Sequence, residues 1–181
     1  MFTFKKTLLI AGGFIFCFAT LGMLYREAIM VMLFTLLIPA PTLGLIIAIF
    51  KKSTITYRSL FFLITCVIYI LTLYLIDIDN IEYKLSPIRI LLASSVSAVL
   101  LQLFFDIIFR TKINYKDTFL RPAFLGFIAS IMTTIAAFYF KIAPTTGWFT
   151  VPLWLGLFSI FPLWFYLFGK QLIQTGKIQD Q

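Results

Sequence analysis

Six apolar stretches, at 7–25, 28–50, 60–76, 88–109, 123–140 and 149–168, constrain this chain more than any other feature. Each is close to the roughly 20 residues with which an α-helix crosses about 30 Å of hydrocarbon. Arg89 and Asp106 are the only charged residues inside them. Soluble domains carry roughly a quarter charged residues; here the share is 12%, and the mean hydropathy is +1.02. The sequence therefore predicts an all-α integral membrane bundle of six transmembrane helices, a single transmembrane domain over 1–181 with no soluble domain.

Arg26 and Glu27 are the only charges between residues 7 and 50. One straight helix of that length would measure roughly 66 Å, more than one crossing holds. The chain must turn back at Tyr25-Arg26-Glu27, either as a tight hairpin or as a shallower re-entrant pair. The first span is read as retained, because its apolar run is long for a secretory signal and no small-x-small site closes it.

Basic residues resist translocation, so their distribution over short loops sets orientation. With six spans, eleven fall on one side: Lys5, Lys6, Lys51, Lys52, Arg58, Arg110, Lys112, Lys116, Arg121, Lys170 and Lys177. Four fall on the other: Arg26, Lys84, Arg89 and Lys141. This asymmetry predicts both termini in the cytoplasm, with the plasma (inner) membrane as the location. The net charge of +8 is then gathered at the cytoplasmic face, where it fits anionic lipid headgroups rather than nucleic acid.

The chain has no histidine, which excludes His-dependent hydrolysis, haem ligation through His and HExxH zinc sites within one chain. Cys17 and Cys66 lie within apolar stretches and read as small hydrophobes rather than ligands. No glycine-rich phosphate loop, paired intramembrane carboxylate or CxxC occurs. Neither a metal nor a cofactor is implied, and the balance leans away from an enzyme.

Three features stand out from the apolar background. On the fourth span Ser95, Val99, Gln102 and Asp106 follow at helical spacing and share one face. An acid at membrane depth is a candidate proton or cation site; alternatively it pairs with Arg110 one turn on, or with Arg121 across the hairpin. On the fifth span Gly126, Ser130, Thr133 and Ala137 form a small-residue stripe suited to close helix packing. A short connection makes these spans antiparallel, which predicts Gly126 at the depth of Asp106. The third feature is Pro39-Ala40-Pro41-Thr42 in the middle of the second span, with Thr35 one turn earlier. These prolines remove backbone donors and predict a broken helix, either a solute site or a kink with a packing role.

Thr35, Pro39, Thr42, Ser95, Gln102 and Asp106 are thus the candidate solute-binding residues, and no catalytic set is assigned. Six spans with both ends inside give an outline similar to that of substrate-binding subunits of vitamin transporters. The composition is similar to that of small basic bacteriocin immunity proteins. No motif aligns with either group residue by residue, so no site is carried over. The expectation is a small transporter or the solute-binding subunit of one, with other membrane subunits as possible partners. The alternative is a non-transporting assembly, scaffold or immunity protein acting through a protein partner. Transport through these residues requires a polar cavity reaching both the Pro39 region and Gln102 or Asp106.

Overall fold

The computed structural model describes residues 3–24, 38–51, 53–76, 87–142 and 158–178. Among the described residues the chain is helical, without strands: α1 (Phe4–Leu24), α2 (Pro39–Phe50), α3 (Ile55–Ile76), α4 (Pro87–Ile108), α5 (Arg121–Ile142) and α6 (Ile160–Gln174). Four segments are long and apolar enough to cross a membrane: Phe4–Gly22, Ile55–Leu75, Ile88–Ile108 and Lys116–Ala136. The described parts of the second and sixth spans, α2 and α6, are shorter.

The outward faces are apolar. Ile10, Phe14, Ile70, Tyr74, Ile88 and Phe124 are each more than half exposed. In water, apolar surface spread over so many helices would drive association; against hydrocarbon it costs nothing. The polar groups turn inward instead, with Gln102, Asp106, Thr118 and Ser130 all buried.

Helix packing follows the small residues. A Cβ on Gly12 would lie 2.8 Å from the Pro162 Cα, so α1 and α6 approach backbone to backbone. A Cβ on Gly126 would lie 2.5 Å from the Ser94 carbonyl oxygen, which seats α5 on α4. Phe4 and Leu8 lie beside Gly169 while Gly12 meets Pro162, so α1 and α6 run antiparallel. The core is densest where Phe4, Phe61, Phe105 and Leu172 are fully buried. There the Phe61 and Phe105 rings meet edge to face at 5.6 Å.

Several boundaries differ from those read in the sequence. Pro39 is the first residue of α2 as described, at a position where a missing N–H costs nothing; the stretch before Ile38, where the expected break would show, lies outside the described residues. The fifth span begins at Lys116, not at 123. Its first turn, Lys116–Leu120, is π-helical, and the Arg121 N–H reaches back five residues to the Lys116 carbonyl. Pro122 follows at once, and the widened turn accommodates its lack of a donor. The last helix runs past Phe168 to Gln174, and Lys177 and Ile178 after it are buried.

Candidate functional site

Asp106 is the centre of a buried polar cluster at the end of the bundle where α2, α4 and α6 finish. Two helix terminations of the same kind build it. At the end of α4 the Arg110 N–H bonds the Ile107 carbonyl and the Thr111 N–H bonds the Asp106 carbonyl, with Arg110 in the left-handed region at φ 51°. At the end of α6 the Gly176 N–H bonds the Ile173 carbonyl and the Lys177 N–H bonds the Leu172 carbonyl, with Gly176 at φ 66°. Both are Schellman turns, which reverse the chain and fold the next residue back on the helix end. The first returns Thr111 to Asp106, and the second delivers Lys177 to the same carboxylate.

The carboxylate is saturated. Lys177 Nζ donates to Oδ1 at 2.5 Å and to Oδ2 at 2.6 Å. Gln102 Nε2 donates to Oδ1 at 3.1 Å, Thr118 Oγ1 to Oδ2 at 2.7 Å, and the Thr111 hydroxyl also bonds Oδ1. An ionised carboxylate offers about four lone-pair positions, so these five contacts leave none for an incoming cation. Such a cation would have to displace Lys177.

A second layer surrounds this pair. Gln171 Nε2 donates to Gln102 Oε1 at 3.1 Å and to the Asp117 carbonyl at 2.9 Å, tying α6 to α4 and to the start of the fifth span. Its own Oε1 is buried without a hydrogen-bond partner. Lys51, at the end of α2, donates to the Lys177 carbonyl at 2.7 Å and lies over the Phe105 ring. Burial holds the Lys51 ammonium below its ordinary pKa; the Asp106 carboxylate opposes this and the Lys177 charge adds to it.

Neither arginine predicted to pair with Asp106 does so. Arg110 takes the left-handed turn and lies over the Tyr57 ring. Arg121 pairs with Asp117, one turn away on its own helix, at 2.6 Å. Gly126 is also not at the depth of Asp106. It packs on Ser94, 12 residues earlier in α4 and thus roughly 18 Å away along the axis. The cause is the early start of the fifth span, which puts Thr118 where Gly126 was expected.

A separate apolar cavity of about 90 Å³ lies between α2, α3, α4 and α6. Pro39 and Ala40 line one side, Thr72 and Ser97 another, and Phe161 and Trp164 a third. Of the candidate solute-binding residues, Pro39 lines this apolar cavity while Gln102 and Asp106 belong to the polar cluster, so among the described residues no polar cavity joins the two groups as the sequence reading required. Thr42 is half-buried and outside the lining. Ser95 bonds the Leu91 carbonyl of its own helix at 2.8 Å. Thr35 lies outside the described residues. In the small-residue stripe, Ser130 bonds the Gly126 carbonyl at 3.0 Å and Thr133 is buried, while the Ala137 side chain lies outside the description.

The sequence reading missed Lys177, Thr118 and Gln171 in the cluster, and Ser97, Thr72 and Trp164 at the cavity. A signal for the first existed: Thr175-Gly176-Lys177 after an apolar run is a helix stop followed by a charge. Comparison with protein-family models, curated proteins and solved structures finds no match for this chain.

Proposed function

We propose that this chain is a multi-pass membrane protein that binds a solute, as a small transporter or as the solute-binding subunit of one. In this reading all six helices cross the plasma (inner) membrane with both termini cytoplasmic. The basic loops meet anionic headgroups there. The observation that carries it is the cavity between α2, α3, α4 and α6, walled by Pro39 at the start of α2 and by Trp164 on α6. Pockets enclosed by several helices are the usual form of small-molecule sites in bundles. The Asp106 cluster has a supporting role here: it closes one end of the bundle and takes no part in binding.

The test is a panel of polar and apolar small solutes added to detergent-solubilised protein, read by thermal stabilisation. At least one should raise the melting temperature of the native chain and leave that of Ala40→Phe, which fills the cavity, unchanged. The second reading, an assembly, scaffold or immunity protein, is favoured by the saturated state of Asp106 and by its separation from the cavity. It predicts a stoichiometric protein partner on mild purification and no solute response. That outcome would replace the transport reading.

A further inference from the structure

We infer that the ligand of this cavity is a hydrocarbon chain, such as the acyl or isoprenoid chain of a membrane lipid. This rests on the reading that the cavity holds a solute, and it adds the solute's chemical class. Five hydroxyl residues line the cavity, Thr65, Tyr69, Thr72, Ser94 and Ser97, yet the surface presented to it is almost wholly apolar, and four of these hydroxyls bond backbone carbonyls. Thr65 Oγ1 donates to the Phe61 carbonyl at 2.8 Å, and Ser94 Oγ to the Gly126 carbonyl at 2.7 Å. Thr72 Oγ1 reaches the Ile68 carbonyl at 2.7 Å, and Ser97 Oγ the Ala93 carbonyl at 2.6 Å. The Thr72 and Ser97 hydroxyls also contact each other, so two hydrogens already serve three acceptors.

A polar solute entering here would lose its water and meet almost no polar surface, at a cost of about 1–3 kcal/mol for each unpaired group. An apolar solute loses nothing on the same walls and gains contact with the Phe161 and Trp164 rings. The outer helix faces are themselves apolar, with Ile70 and Tyr74 well exposed, so such a chain can reach the cavity from hydrocarbon without crossing water.

Trp164 provides the probe. In a Trp148→Phe/Trp154→Phe background it is the only tryptophan, and a 1-bromoalkane of lipid-chain length quenches it on contact. With full-length protein held in amphipol, quenching should be saturable and reversed by the unbrominated alkane. Binding should weaken about tenfold or more, a loss of about 1.4 kcal/mol, in Ala40→Phe. Leu43→Phe is a second cavity-filling variant in case the first does not fold, with helical circular dichroism as the check. Quenching that stays linear and unchanged in both variants would overturn the inference. So would saturable binding of a brominated polar solute such as 2-bromoethanol in place of the alkane. If the solute panel finds a polar ligand displaced by Ala40→Phe, the inference fails while the solute-binding reading stands. If neither alkane nor panel member binds, both fail.

Discussion

Lys177 grips Asp106 through both carboxylate oxygens, at 2.5 and 2.6 Å, across 71 residues of sequence. The lysine side chain is 8% exposed and the aspartate side chain 0%. At such burial the two charges depend on each other, because either alone would face a desolvation cost of several kcal/mol. The pair therefore ties α4 to the turn after α6, and loss of either partner leaves the other buried without its counter-charge.

Lys177→Met should destabilise the protein by about 3–5 kcal/mol, since it leaves a carboxylate buried without its counter-charge. Asp106→Asn added to it should restore much of that loss, because a neutral amide keeps hydrogen bonds without needing a cation. Unfolding of the two variants in detergent checks this. Equal losses from the single and double changes would show that the charge is not the issue.

Gly176→Ala should cost about 1 kcal/mol, the penalty of a Cβ in the left-handed region. No atom crowds that position, so the penalty is conformational rather than steric. Thermal melting of the variant measures it.

Gly126→Leu should cost about 1–3 kcal/mol or more by overfilling the contact with Ser94. Phe124→Leu, on an exposed face of the same helix, should stay within about 0.5 kcal/mol. A denaturation series on both variants separates packing on α4 from any general sensitivity of α5.

Lys51 gives a pH dependence of known sign. Burial lowers its pKa, so just below the ordinary lysine value of about 10.4 the unfolded chain holds a proton that the folded chain has released. Stability arising from this residue therefore rises with pH through that window. As the pH rises toward about 10.4 the native protein should gain on Lys51→Met in melting temperature. A difference that stays flat would show that burial does not perturb this ammonium.

Orientation is tested by reporter fusions. The basic asymmetry of the loops places a reporter after Gln181 inside and one within 78–84 outside. A cytoplasmic signal from the second fusion would reverse the assignment.

Much of the architecture was legible because helix length and apolar runs are local properties. Gln102 and Asp106 share a face by the period of the helix, and Gln102 does bond the carboxylate. What the sequence hid was where helices stop. Spacing pointed to Arg110 as the partner one turn after Asp106, but that rule holds only while the helix continues, and α4 ends at Ile108. The left-handed turn at Arg110 carries the guanidinium away. Lys177 was missed for the opposite reason: a reversal at Gly176 brings a residue from beyond the sixth apolar stretch into the core. The cavity was harder still, since Pro39, Ser97 and Trp164 meet only through packing of three helices.

The 71 residues between Asp106 and Lys177 also measure time. Synthesis at about 5–20 residues per second makes the acid roughly 4 to 14 s before the base that neutralises it. During that interval Asp106 has Gln102, made just before it, and then Thr111 and Thr118 as hydrogen-bond donors. The arrival of Lys177 is the step that commits the carboxylate to its charged, enclosed state. Closure of this end of the bundle is therefore a late event in the life of the chain.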